Sequence, residues 1–154
     1  MIRYAPWHPK FGTLAKTADS LHTPAAQTTG TLLLRAILRM QVIIPGADGM
    51  FGVLPGHVPT ISELKPGVVE VTTAPGEVEK YFISSGFAFA HADSTLDVCG
   101  IEIVKMEHLD ASLVASGKSE AEAALGKATD EVEKAKAQIA VEVYTAMTEA
   151  LNAK

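Results

Sequence analysis

Four features of this chain carry residue types that could do chemistry, and each sits in surroundings that do not suit it. Gly117-Lys118-Ser119 has the order of a phosphate-binding loop, in which backbone N–H groups cradle the phosphate and the lysine neutralises it. That loop needs another glycine five residues before its glycine–lysine pair, following a strand. Position 112 is serine and the triplet falls in a helical pattern, where backbone donors are already spent. The histidines are His8, His22, His57, His91 and His108, and no two share the i, i+4 helical spacing of a metal-binding pair. Ser84-Ser85-Gly86 supplies hydroxyls but lacks the glycine pattern of a strained nucleophile turn. Cys99 is the single cysteine, so neither an internal disulfide nor a cysteine metal site can form, and it reads as a small buried hydrophobe. No nucleophile, base and acid come together. The chain is therefore read as non-catalytic, without cofactor or metal.

In composition, 47% of the 154 residues are apolar, enough for a core. The apolar runs are short: Leu32-Leu33-Leu34 stops at Arg35, and Phe87–Ala90 is four residues. A membrane helix needs roughly 20 apolar residues, so contact with a membrane is expected only through partners. The net charge of −5 is unevenly spread. Residues 1–40 carry Arg3, Lys10, Lys16, Arg35 and Arg39 against Asp19 alone, and the remainder is acidic. A nucleic-acid binder shows its basic patch on the folded part; here that part is acidic, which excludes nucleic acid.

Three textures follow one another. Residues 1–20, with Pro6, Pro9 and Gly12, have no period and resemble a targeting segment poor in arginine; they are expected to be an N-terminal extension held on a partner. Residues 21–106 read as short strands: one within 21–29, then Leu32–Leu34, Leu38–Ile44, Val68–Thr73, Tyr81–Ile83, Phe87–Ala90 and Leu96–Val104, the last with a bulge at Gly100. Strands separated by turns such as Pro75-Gly76 at this spacing predict a sandwich or barrel. Residues 107–154 are alanine-rich and free of proline. Asp110 caps a first helix running to about Leu125, and Gly126–Thr129 breaks it. Asp130 opens a second helix, with Glu133 completing an acidic capping box. Val132, Ala135, Ile139, Val143, Ala146 and Ala150 recur on one face, and Val114, Ala121 and Leu125 could oppose them. The fold class is α+β, a β domain followed by an antiparallel two-helix hairpin whose seam is Val114, Leu125, Val132, Ile139 and Val143.

One run is unusual in its glycines and prolines: Ile44-Pro45-Gly46-Ala47-Asp48-Gly49-Met50-Phe51-Gly52-Val53-Leu54-Pro55-Gly56-His57-Val58-Pro59-Thr60. Glycine permits positive φ, and proline sets φ and removes a donor. The run reads equally as a structural corner of the sandwich or as a contact surface, since loops on a rigid scaffold carry contacts. His57 likewise either fixes a turn or touches a partner.

Gly49–Thr60 resembles the signature of the ATP synthase delta/epsilon family: glycine, two variable residues, glycine–aliphatic, a short link, then His-x-Pro. Lys65-Pro66-Gly67-Val68-Val69 and Tyr81-Phe82-Ile83-Ser84-Ser85-Gly86 resemble that family's following segments, in the same order and spacing. The resemblance covers residues 21–154. It implies a flattened N-terminal β-sandwich with a C-terminal helical hairpin. It also implies a non-catalytic rotor subunit that joins the gamma subunit to the c-ring on the matrix side of the mitochondrial inner membrane. Met50, Phe51, Gly52, His57 and Pro59 are then expected at the end of the sandwich facing gamma and the ring, with Gly49, Pro55, Gly56, Pro66, Gly67 and Gly86 shaping turns. A small mitochondrial epsilon-type stalk subunit is a further implied partner. Some bacterial members bind ATP through Leu/Ile-Asp-x-x-Arg-Ala; the matching stretch is Leu109-Asp110-Ala111-Ser112-Leu113-Val114. Leucine replaces the arginine and removes its phosphate donors, so no ATP sensing is expected. The competing readings are a stand-alone β-sandwich binding module with a helical tail, and a small enzyme using Ser84, Ser85 or His57.

Overall fold

The computed structural model of the chain describes residues 2–4, 32–38 and 40–153. The strand expected within residues 21–29, and most of the expected extension, lie outside the described residues. Ten strands are described: β1 (Ile2–Tyr4), β2 (Leu32–Ile37), β3 (Val42–Gly46), β4 (Gly49–Val53), β5 (Thr60–Leu64), β6 (Gly67–Ala74), β7 (Glu77–Ile83), β8 (Gly86–Ala90), β9 (Thr95–Gly100) and β10 (Ile103–Lys105). A single 3-10 turn, Met106–His108, leads to α1 (Ala111–Lys127) and α2 (Glu131–Asn152).

The strands pair antiparallel in the order β1-β2-β9-β8-β5-β3-β6-β7-β10, with β4 on the far side of β3. The ladder thins at one place, where β5 meets β3 only at Leu64 and Gly46. There the sheet folds over into two halves, β1-β2-β9-β8-β5 and β4-β3-β6-β7-β10. Alternation decides which side chains enter between them. Leu34, Ala36, Ala88, Leu96 and Val98 from the first half join Val42, Ile44, Val69, Val71, Tyr81 and Ile83 from the second in one buried cluster. Each large apolar side chain buried there stabilises the fold by about 1.5–3 kcal/mol. Ile2–Tyr4, inside the stretch read as an extension, adds an edge strand against Leu34–Ala36.

Three expectations about the strands change. The run Leu96–Val104 is two strands, because the chain crosses from one half to the other between Gly100 and Ile103. Ile83 and Ile103 occupy the space that a Cβ at position 100 would need, so the chain turns there rather than bulging. The strand expected at Leu38–Ile44 begins only at Val42. The glycine-rich run is not a series of loops: Ala47-Asp48 is the turn of a β3–β4 hairpin, and apart from that turn only residues 54–59 lie outside strands.

The hairpin of helices docks on the second half of the sandwich. Tyr81, Phe82 and Ile83 are all buried, although alternation points Phe82 away from the core cluster. Its cover comes from the helical side, where the 3-10 turn touches β7 and α2 touches β6. Asp110 caps α1 as expected, accepting from the backbone N–H of Ser112 at 2.7 Å and of Leu113 at 3.3 Å. Asp130 makes no such bond, so the expected capping box at α2 does not form. The break between helices is Ala128–Asp130, later than expected, and Gly126 is helical.

The seam also differs. Val114 is buried, and Leu125 and Val143 are half-buried, but Val132 and Ile139 are 59% and 62% exposed. The buried face of α2 instead runs through Ala137 toward Tyr144, whose ring fills the space that a Cβ at Gly117 would occupy. A glycine notch facing an aromatic ring rotates α2 away from the face its aliphatic residues mark. Gly117 thus packs the hairpin and forms no phosphate loop.

The first half of the sandwich carries an ionic fastening. Arg35 on β2 forks onto Asp97 on β9, with Nε–Oδ1 2.5 Å and Nη2–Oδ2 2.6 Å. His91 Nε2 lies 3.1 Å from Asp97 Oδ2. The Arg35 bonds, helped by His91, hold the Asp97 carboxyl below the usual carboxylate range against the opposing effect of burial. Cys99, two residues on, is half-buried, and burial pushes its thiol up from the usual cysteine value.

Substitutions at the crossing and at the fastening test this architecture. Gly86 has φ +156°, and a Cβ there would run into the Cys99 carbonyl. Gly86→Ala should cost about 3 kcal/mol or more in urea unfolding. Gly76→Ala, at φ +86° in open space, should cost only about 1–2 kcal/mol. Because folding lowers the Asp97 pKa, its contribution is complete above the unfolded value near pH 4 and is lost as pH falls through the folded one. Asp97→Asn should therefore destabilise by about 2 kcal/mol at neutral pH, and the gap from wild type should close on acidification below about pH 4.

Candidate partner-contact surface

The β3–β4 hairpin and β5 build the surface that the sequence singled out. At one end, Gly49 closes the tight turn with φ +141°, and β4 then carries Met50 outward, 55% exposed. Phe51 turns inward and packs against the core cluster. Gly52 sits under Gln41, whose side-chain amide fills the place of a Cβ. Beside this hairpin opens a cleft of about 500 Å³ lined by Asp48, Met50, Phe51, Ile61, Ser62 and Glu63 among others. At the other end of β4, residues 54–59 turn back to β5. Gly56 takes φ +78°, and His57 N–H donates to the Leu54 carbonyl at 3.0 Å. His57 Nδ1 lies 2.8 Å from the Val58 carbonyl, which also accepts from Thr60 Oγ1 at 2.9 Å.

The five expected contact residues therefore do not form one cluster. The register of β4 against β3 puts Met50 beside the hairpin turn and Val53 opposite Val42 at the far end. His57 and Pro59 lie beyond that far end, so the strand separates the two groups by about 13 Å. His57 is half-buried and fixes its own turn, whereas Pro59 is exposed. Of the expected turn residues, Gly49 and Gly56 have positive φ and Gly86 crosses against β9. Pro55 lies in the 54–57 turn, and Pro66 precedes β6. Gly67 opens β6 against Pro45, where a Cβ would collide.

Four exposed apolar residues on this surface were missed. Leu54, Val58 and Ile61 stand out in and beside the 54–59 turn, Ile61 at 71% exposure, and Phe87 lies on the neighbouring strand β8. A signal for Ile61 was present. It shares its strand face with Glu63 while Leu64 turns inward, so an aliphatic residue stands on the solvent side. Single exposed apolar residues are ordinary, but a contiguous group marks a contact surface. Ser84, considered as a nucleophile, is buried, and its hydroxyl has no hydrogen-bond partner among the described residues; no base contacts it. Among the described residues no group of His, Cys, Asp or Glu is placed to hold a metal, and no helix is long and apolar enough to cross a membrane.

Residues 39–98 match the family described as ATP synthase, Delta/Epsilon chain, beta-sandwich domain. The chain is 51% identical over 110 residues to "ATP synthase subunit delta', mitochondrial" of Ipomoea batatas, covering 71% of this chain and 54% of that protein. The chain thus spans about half the length of that relative. It is 36% identical over 152 residues to "ATP synthase subunit delta, mitochondrial" of Caenorhabditis elegans, covering 92% of this chain and 93% of that protein. Among solved structures it is similar to a chain of the Euglena gracilis mitochondrial ATP synthase, in a structure of OSCP, F1 and c-ring. That match has TM-score 0.65 and 32% identity, and covers 72% of this chain and 69% of the other. With a folded-over antiparallel sheet, a docked helical hairpin and relatives matched nearly end to end, this chain belongs to the delta/epsilon family of ATP synthase subunits.

Proposed function

We propose that the chain is a non-catalytic rotor subunit in the central stalk of a mitochondrial ATP synthase on the matrix side of the inner membrane, joining the gamma subunit to the c-ring. The observation that carries this reading is a set of exposed apolar side chains on a stiff sandwich, Met50 and Ile61 beside the cleft and Leu54 and Val58 in the 54–59 turn. A torque-bearing element needs contact area and resistance to deformation, not reactive groups, and close packing supplies the stiffness. The similar Euglena chain belongs to a structure of OSCP, F1 and c-ring together, which supports a place in that assembly. On the helical hairpin Leu113, Val132 and Ile139 are exposed. They offer a separate apolar face for a small epsilon-type stalk subunit.

The hairpin is also read as insensitive to ATP. Leu113 stands where bacterial members carry an arginine, and Asp110 is committed to capping α1 through Ser112 and Leu113. That commitment pulls the Asp110 carboxyl below its usual range, chiefly through the Ser112 hydroxyl.

The tagged chain, purified from mitochondrial membranes in mild detergent, should bring down alpha, beta, gamma and ring subunits in fixed ratios. Recovery of the chain alone, from an extract that contains intact synthase, would sink the proposal in favour of a stand-alone binding module. Met50→Glu and Ile61→Glu should each reduce recovery of gamma and ring subunits about tenfold while leaving the melting temperature near wild type, because both side chains are exposed. Titration of the isolated chain with magnesium–ATP should show no saturable binding in the micromolar range typical of a specific site, and tight binding there would refute the ATP-insensitive reading.

A further inference from the structure

The turn between β8 and β9 is held more firmly than a surface turn requires. Ser94 has φ +61° and is the one non-glycine residue with positive φ among the described residues. Such a conformation disfavours a side chain and persists where the surroundings enforce it. Here they do so from several sides. Ser94 N–H donates to the His91 carbonyl, and Leu38 N–H donates to the Ser94 carbonyl at 2.9 Å. Asp93 Oδ1 accepts from the Thr95 N–H at 3.1 Å and the Thr95 hydroxyl at 2.7 Å. At the base of the turn His91 lies against Asp97, itself clamped by Arg35.

That conformation sends the Ser94 hydroxyl outward to Gly56, whose N–H donates to Ser94 Oγ at 3.0 Å across 38 positions of sequence. Gly56 is the positive-φ residue at the apex of the 54–59 turn, and the Gly56–Ser94 bond braces this turn from the opposite hairpin. On either side of Gly56 stand Leu54 and Val58, both exposed. We infer that Ser94 is a positioning residue for the 54–59 contact turn, its strained backbone retained so that its hydroxyl holds Gly56, and through it Leu54 and Val58, in the posture that meets the partner. The inference rests on the contact surface proposed above. Ser94 itself need not touch the partner. Its part is to carry the order of the Arg35–Asp97–His91 fastening to a turn whose other bonds, among the described residues, are its own local ones.

Residue choice separates the hydroxyl from the backbone. Ser94→Gly keeps the positive φ at no steric cost and removes the hydroxyl. Ser94→Asn tolerates the same φ and restores a side-chain oxygen. On the full-length chain, amide hydrogen exchange at Gly56 and dissociation from purified gamma subunit with detergent-solubilised c-ring are measured for both. Ser94→Gly should exchange Gly56 about tenfold faster and dissociate about three- to tenfold faster, the scale of one hydrogen bond, with its melting temperature near wild type. Ser94→Asn should return both rates toward wild type. Unchanged Gly56 exchange in Ser94→Gly, faster exchange with unchanged dissociation, or no rescue by Ser94→Asn would each overturn the inference. Failure of the wild-type chain to bind would instead overturn the proposed contact surface, whatever the exchange rates show.

Discussion

At one corner of the sandwich the chain crosses between the two halves twice, and both crossings pass through the same small volume. Ser84-Ser85 carries β7 into β8, and Ile101-Glu102 carries β9 into β10. The two are tied by Ser84 N–H to the Glu102 carbonyl and Ile101 N–H to the Ser85 carbonyl, each at 3.2 Å. Backbones approach this closely only because Gly86 and Gly100 present no Cβ where the Cys99 carbonyl, Ile83 and Ile103 already sit. Everything else in the sandwich inherits this constraint. The crossings set which strands face each other, so they decide that Leu34 and Val98 meet Ile44 and Val69 rather than solvent. They also aim β10 along β7, which delivers the 3-10 turn and the helices onto the side where Phe82 needs cover.

The surface of the molecule follows from the same geometry. A sheet folded over on itself has two outer faces and exposed ends. The helices cover one face, and the first half's outer face carries the Arg35–Asp97–His91 fastening beside the exposed Ile61 and Phe87. Met50 at the β3–β4 hairpin, and Leu54 and Val58 at the other end of β4, are left without cover among the described residues. Ionic groups satisfied within the chain and hydrocarbon left in solvent thus lie side by side, and exposed hydrocarbon that gathers in a patch marks a contact surface.

Much of this was legible in local sequence, and the failures share a cause. The helices were readable because alanine, glutamate and lysine recur at helical spacing and Asp110 stands before the first turn. The strands from Val68 to Ala90 were readable because β-branched and aromatic residues lie between glycine and proline. What local pattern could not show was contact between distant positions. Tyr144 chooses the helix seam by finding Gly117, so Val132 and Ile139 point outward despite their spacing. Arg35 and Asp97 are 62 residues apart, and nothing around either announces the pair. The split between β9 and β10 depends on side chains from β7. In the contact surface, Met50 and Phe51 were marked by the glycines beside them, while Ile61 was hidden in an ordinary strand whose outward face only the register reveals.

The half-buried thiol of Cys99 has a use in that light. Thiolate is the form that reacts with alkylating agents, and burial beside Asp97 makes thiolate scarcer at this position than in an open chain. The sulfur sits on β9, between β2 and β8, at the strand that the Gly86 crossing presses against. As the only cysteine in the chain, it reports on one place without ambiguity. Its side chain shares the outer face of β9 with Leu33 and Phe87, so its alkylation rate is a clock for the loosening of that strand from its neighbours. The chain thereby carries its own gauge of how firmly β9 is held between its neighbours.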